Sequence, residues 1–216
     1  MKTPILLVIS TNNDTESLEK TLAHIRKHTE PGTYRICLED TGSTRREHID
    51  YIHSIERDVS YVHFNINPVY DVGGYLHAIK TFDSPGGFFF MQDSLYPVRD
   101  GWLDRVSSVD VGVPFRQSMS IEWGKHKGFC EEHMGGTLPD ELPKYLIQYN
   151  TFYASQGVAK NLVFSLDAPI PSHKEHSQGY ERLLPFYFQF MGITPHFIDS
   201  TYFKKIHWSE RSLRPQ

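Results

Sequence analysis

The sequence predicts an α/β fold with a mostly parallel central sheet and helices on both of its faces. Three observations lead there. Short apolar runs alternate with amphipathic stretches over the first hundred residues, as strands alternating with helices would. The runs are continuously apolar rather than alternating, which is the pattern of strands covered on both faces. The chain has 216 residues, enough for one α/β domain with a sizeable core and short for two.

Taken in order, Pro4-Ile5-Leu6-Leu7-Val8-Ile9 reads as the first strand. Asp14 or Thr15 can cap a helix that places Leu18, Leu22 and Ile25 on one stripe. Pro31-Gly32 ends it, and Tyr34 to Leu38 is a second strand. Asp40-Thr41-Gly42-Ser43 is a turn, and Arg46 to Glu56 a helix carrying Ile49, Ile52 and Ile55. Ser60 to Asn65 is the third strand, followed by a loop through Gly73-Gly74 and a short helix from about Tyr75 to Thr81. Ser84-Pro85-Gly86-Gly87 is a turn, and Phe88 to Met91 a fourth, wholly apolar strand.

Beyond Pro97 the pattern loosens. Val111 to Phe115 is a candidate strand, and residues 124–143, rich in Gly, His and acids, read as a long loop or lid. Thr151 to Phe164 holds a short helix and a strand. Glu181 to Met191 reads as a helix with an aromatic face, closed by Gly192. His196-Phe197-Ile198 is a short strand. There is no repeat or linker, so residues 1–216 read as one domain.

The formal net charge is −4 and no basic block stands out, which removes the usual electrostatic footprint of a nucleic-acid binder. The densest basic stretch is the tail, with Lys204, Lys205, Arg211 and Arg214. It is either a solvated terminus or a holder of diphosphate or another polyanion. Two cysteines, Cys37 in an apolar run and Cys130, suit a reducing compartment. The opening apolar run is too short for a signal sequence or a membrane span, so no membrane insertion and a cytoplasmic location are expected.

Each strand ends in a polar cluster: Ser10-Thr11-Asn12-Asn13, Asp40-Thr41-Gly42-Ser43, Asp71-Val72-Gly73-Gly74 and Gln92-Asp93-Ser94. Ligands of open α/β sheets bind beyond the carboxyl ends of the strands. Four clusters at that edge would make a continuous polar groove. Asp40 could accept hydrogen bonds from a nucleobase or ribose edge, and Gly73 and Gly74 would let backbone approach a ligand closely. The pattern suggests a nucleotide or nucleotide-derived ligand.

Four blocks, in matching order and spacing, resemble the inverting GT-A glycosyltransferase superfamily (family 2-like). Ile5 to Thr29 is similar to its opening strand and helix, and Asp40-Thr41-Gly42-Ser43-Thr44 to its Asp-Asn-Gly-Ser-Thr turn. Asn67 to Ala78 is similar to the glycine-bearing loop and helix after the third strand, and Phe88 to Trp102 to the strand, metal-binding triplet, proline and tryptophan. The resemblance covers residues 4–103 well and the remainder loosely. It implies a GT-A fold, with residues 1–103 as nucleotide-sugar-binding half and 104–216 as acceptor-binding half. Ser10, Thr11, Asn13, Asp40, Gly73, Gly74, Gln92, Asp93, Lys205 and Arg211 become candidate donor-binding residues.

The triplet departs from the family. Where the family carries Asp-x-Asp, this chain reads Gln92-Asp93-Ser94. Mg or Mn prefers hard oxygen ligands, and serine is a poor one beside a carboxylate. The candidate metal set is therefore Asp93, Ser94 and His207, the last similar in place to a C-terminal histidine of the family. Three readings stay open: a weakly bound divalent metal, protein cations in its place, or no transfer at all.

Gln178-Gly179-Tyr180-Glu181 and the aromatic helix up to Gly192 resemble the family's acidic catalytic helix. In that register Glu181 takes the catalytic base's position and Tyr180 replaces its partner acid. The bland alternative is a glutamate at a helix N-terminus, favoured by the dipole. The resemblance implies transfer of a sugar, a hexose above all, from a nucleoside-diphosphate donor, UDP-sugar foremost, to an acceptor hydroxyl with inversion. The acceptor is open among a small molecule, a glycan, a protein and a modified DNA base. The alternative is an inactive nucleotide-sugar- or partner-binding domain. A nucleotidyltransferase ranks low, because Ser10-Thr11-Asn12-Asn13 lacks that group's Gly-rich, basic loop.

Overall fold

The computed structural model describes residues 3–66, 69–119, 123–136, 138–165 and 174–206. The strands are β1 (Ile5–Thr11), β2 (Tyr34–Asp40), β3 (Tyr61–Phe64), β4 (Phe88–Gln92), β5 (Leu95–Pro97), β6 (Val111–Val113), β7 (Arg116–Ser118), β8 (Tyr145–Ile147), β9 (Phe152–Ala154), β10 (His196–Phe197) and β11 (Phe203–Lys205). The helices are α1 (Thr15–His28), α2 (Arg46–Ser54), α3 (Tyr70–Thr81), α4 (Trp102–Ser107), α5 (Trp123–His133), α6 (Gln156–Ser165) and α7 (Lys174–Phe190).

Seven strands form the central sheet in the order β10-β6-β9-β4-β1-β2-β3. Pairing is parallel throughout except at β9, which runs antiparallel to both β4 and β6. The mostly parallel sheet expected from the apolar runs is therefore present, and it takes strands from both halves of the chain. Two short antiparallel ribbons, β5 with β11 and β7 with β8, flank it.

Period-2 alternation along the strands divides the core into two layers. Ile5, Leu7, Ile9, Ile36 and Leu38 pack with α1, α2 and α4 on one face. Leu6, Val8, Cys37, Phe88 and Phe90 pack with α3, α6 and α7 on the other. Helix α1 starts where its cap was expected: Asp14 Oδ1 accepts from the Ser17 N–H at 3.1 Å, and Leu18, Leu22 and Ile25 are buried. Cys37 and Cys130 are both buried free thiols.

Three expected elements are corrected. Helix α3 begins at Tyr70, so Gly73 and Gly74 lie in its second turn rather than in a ligand-facing loop. Gly74 is small because a Cβ there would meet Glu39 Cβ at 2.8 Å; packing of the helix against β2 overrides glycine's poor helix propensity. The segment expected as a lid holds α5, whose inward face carries His126 and His133 beside Phe129 and Cys130, so its hydropathy shows no helical period. Helix α7 begins at Lys174, seven residues before Glu181, so Glu181 is mid-helix and the dipole explanation for it falls away. Its end is as expected, with Gly192 at φ 69° and the Ile193 N–H returning to the Phe188 carbonyl at 2.8 Å.

Candidate active site at the strand ends

The carboxyl ends of β1, β2 and β4 lie side by side, and hydrogen bonds sew their polar residues into one line. The Thr41 N–H donates to the Thr11 carbonyl at 3.0 Å. The Thr11 hydroxyl donates to Asp93 Oδ2 at 2.7 Å and lies 2.9 Å from His48 Nε2. With the hydroxyl proton committed to Asp93, His48 Nε2–H is the donor in the second contact. The Asp93 N–H closes the line on the Ser10 carbonyl at 2.9 Å.

Asn13 stands in the left-handed region at φ 55°, a conformation asparagine tolerates better than most residues. From there its Oδ1 accepts from the Thr44 and Arg45 N–H groups at 2.9 and 2.7 Å. Asn13 thereby shapes the turn after β2. In that turn Asp40 Oδ2 accepts from the Gly42 and Ser43 N–H groups at 3.3 and 3.0 Å. The other oxygen, Asp40 Oδ1, is buried with no hydrogen-bond partner among the described residues. An unpaired buried carboxylate oxygen is costly, and a ligand N–H or O–H at the strand ends would satisfy it.

A second cluster lies beside the end of β4. Asp71, in the first turn of α3, accepts from Gln92 Nε2 at 2.9 Å and Asn150 Nδ2 at 3.1 Å on one oxygen. Its other oxygen accepts from the Ser177 hydroxyl of α7. Asn150 Nδ2 also reaches the Ser177 carbonyl at 3.0 Å. Tyr149 and Asn150 are both left-handed, at φ 61° and 48°, a strained conformation for a bulky tyrosine. The strain aims the Tyr149 N–H at Glu181, which accepts it on Oε1 at 2.7 Å.

Glu181 is partly covered, its side chain 19% exposed. Burial pushes its carboxyl up to about 7, with the Tyr149 N–H opposing and the nearby Asp71 charge adding to the rise. Lys205, at the end of β11, sits 3.2 Å from the centroid of the Tyr149 ring and 3.5 Å from Gln92 Oε1. A carboxylate, a cation and an amide thus meet within one cluster. Beside it a cavity of about 480 Å³ opens between Phe115, Arg116, Gln148, Phe197 and Asp199, with the Phe115 ring 5.7 Å from that of Tyr149.

Of the residues singled out from the sequence, Ser10, Thr11, Asn13, Asp40, Gln92, Asp93, Ser94, Glu181 and Lys205 stand at or beside the strand ends. Gly73 and Gly74 do not line a loop there, being inside α3. Tyr180 is fully buried in the core, as its place on α7 one residue from Glu181 demands. Trp102 and Tyr153 are buried as well. His207 and Arg211 lie outside the described residues. Asp71, Asn150, Ser177 and His48 were not singled out. Asp71 lies in the third strand-end cluster, just before the Gly73-Gly74 pair.

The described residues fit a diphosphate-bridging metal poorly. Asp93 is the one carboxylate in the triplet, it is buried, and it accepts from Thr11. Gln92 points its amide nitrogen at Asp71, and Ser94 is buried.

No protein-family model matches the sequence, and no curated protein matches it either. Solved structures do match in fold. A mannosyltransferase, PcManGT from Pyrobaculum calidifontis in complex with GDP-Man and Mn2+, superimposes with a TM-score of 0.61 at 10% identity, over 93% of this chain and 56% of that one. GalNAc-T7 with UDP, GalNAc and Mn2+ gives 0.62 at 12% identity, over 95% and 44%. S. aureus TarS gives 0.54 at 11%, over 93% and 36%. The chain spans about half or less of the length of these structures. At such identities the likeness is one of fold, and the fold is GT-A.

Proposed function

We propose that this GT-A-fold chain is a glycosyltransferase that moves a sugar from a nucleoside-diphosphate sugar to an acceptor hydroxyl, with inversion and with Glu181 as general base. The observation that carries the reading is Glu181 itself: a partly exposed carboxylate, raised to about 7, held by the backbone of a strained loop beside the sheet's carboxyl edge. A base that titrates near neutral pH accepts a proton readily and is still ionised in good part.

In the mechanism, the turn after β2 binds the nucleotide, with Asp40 Oδ1 accepting from the base or ribose. A UDP donor suits a single carboxylate acceptor, and the GT-A neighbours were solved with UDP or GDP-Man. Lys205 lies near Gln92 and carries the charge that offsets the departing diphosphate, a role preorganised electrostatics fills well. Glu181 takes the proton of the acceptor hydroxyl as its oxygen attacks the anomeric carbon from the face opposite the diphosphate. The bond to the diphosphate breaks with its electron pair, and the configuration inverts. The cavity lined by Phe115 and Gln148 is the acceptor's place, with aromatic walls suited to a sugar or another flat face.

A second reading keeps the binding and drops the chemistry: a domain that holds a nucleotide sugar without transferring it. The altered triplet, with Asp93 engaged by Thr11, favours it. No helix among the described residues is long and apolar enough to cross a membrane, and two free thiols support a cytoplasmic location as part of the proposal.

Titration calorimetry with UDP, UDP-glucose and GDP-mannose, each with and without Mn2+, tests the binding half. The reading expects metal-independent binding of at least one of them and a loss of about tenfold or more in Asp40→Asn, roughly the worth of one charge-assisted hydrogen bond. No binding to any of the three would remove the transferase and the binding-domain readings together.

A further inference from the structure

We infer that Glu39, His63 and His77 form a binding site for a divalent transition-metal ion, apart from the strand-end groove. The three residues come from three elements, β2, the edge strand β3 and α3, so their meeting is a product of the fold. One ligand atom of each lies within 4.8 Å of the others. His63 Nδ1 is 2.9 Å from Glu39 Oε2, and His77 Nδ1 is 2.8 Å from Glu39 Oε1. Metal–ligand bonds of ~2.1 Å place neighbouring ligand atoms ~3.0 Å apart at right angles and ~3.4 Å apart in a tetrahedron. The two histidine-to-carboxylate spacings differ from these by only tenths of an ångström.

The two imidazoles stack with centroids 3.6 Å apart and planes 16° apart. Glu39 is fully buried, while His63 and His77 are 36% and 32% exposed, which leaves an approach and an open coordination position on the solvent side. His77 Nε2 lies 3.2 Å from Thr81 Oγ1, the kind of outer contact that orients a ligating ring. Gly74 supplies the space: a Cβ there would strike Glu39.

Two imidazoles and one carboxylate select a borderline ion of the Zn2+, Co2+ or Ni2+ type over Mg2+ or Ca2+. Alternation along β2 puts Glu39 on the α3 face and Asp40 on the other. The bound ion would fasten edge strand β3 to α3. Asn65, just past β3, donates to the Asp40 carbonyl at 2.7 Å, so the clamp would steady the turn that Asp40 occupies. The inference stands whether or not the chain transfers sugar.

The test is titration of the chelator-treated full chain with Co2+, followed by its d–d absorption, and with Zn2+, followed by calorimetry. The comparison variants are His63→Gln and His77→Gln, which keep a donor for Glu39 but remove the imidazole, and Asp93→Asn. One tight equivalent is expected in the wild type and in Asp93→Asn, with affinity about tenfold or more lower in each histidine variant, and Zn2+ raising Tm only where the site is intact. The chain has 12 histidines, so loose binding elsewhere is expected equally in every variant. Absence of a tight equivalent in the wild type, or its retention in both histidine variants, would overturn the site.

Discussion

The Glu181 carboxylate accepts a 2.7 Å hydrogen bond from the backbone N–H of Tyr149, a residue held at φ 61°. The strain of the loop and the placement of the base are therefore one feature. Strain of this kind persists only where the surroundings enforce it. Here Asn150 does so, through its bonds to Asp71 and to the Ser177 carbonyl.

Asn150→Ala should accordingly lower stability by about 2 kcal/mol, since it removes a hydrogen bond to a buried carboxylate and puts alanine at a left-handed position. For a chain of this size that is a Tm lower by about 4–8 °C, read by thermal melting. The Tyr149 loop should also loosen, so any turnover should fall more than the nucleotide affinity does.

Glu181 gives a prediction about pH. Its carboxyl is raised to about 7 in the fold, so between its ordinary value and 7 the native state binds more protons than the unfolded state. Stability then falls as pH rises through that window. Glu181→Gln, which keeps an acceptor for the Tyr149 N–H, should abolish this contribution. Relative to wild type it should be more stable at pH 8 than at pH 5, as urea melts at the two values would show.

Gly74→Ala should destabilise, although alanine is the better helix former. The new Cβ would stand 2.8 Å from Glu39 Cβ, and that atom is fixed to strand β2 rather than at the end of a flexible chain. Overpacking of this kind costs about 1–3 kcal/mol, more than the ~1 kcal/mol gained in propensity. A Tm equal to or above wild type would show that α3 can shift away from the sheet.

The fold was legible because it is written in apolar runs. Ile5 to Ile9, the Leu18-Leu22-Ile25 stripe and Phe88 to Met91 each have one physical solution, and their order sets the parallel sheet. Helix α5 was not legible, because its inward residues His126, Phe129, Cys130 and His133 recur at helical spacing but mix histidines with apolar side chains. The start of α3 was hidden by Gly73-Gly74, whose place is explained only by Glu39 across the interface. Of the candidate site, strand ends could be found from the chain alone. The Asp71–Asn150–Ser177 cluster could not, since it joins residues 79 and 106 positions apart with no shared motif.

Lys205→Met should weaken binding of a nucleoside diphosphate by about tenfold and flatten its salt dependence, because one cation is lost from beside Gln92. The methionine keeps the packing on the Tyr149 ring. Calorimetry with UDP at two salt concentrations checks this; unchanged affinity at both would make Lys205 a packing residue of β11.

Whether Glu181 is the base of a sugar transfer is read from the release of nucleoside diphosphate from UDP-glucose and GDP-mannose. It should be measured with wild type and Glu181→Gln across pH 5–9, in the presence of a panel of sugar and small-alcohol acceptors. Wild-type turnover should rise through about pH 7, and turnover should be lower by roughly a hundredfold or more in Glu181→Gln, with nucleotide affinity unchanged. Turnover in Glu181→Gln equal to wild type, or nucleotide binding without any turnover in the wild type, would contradict that role.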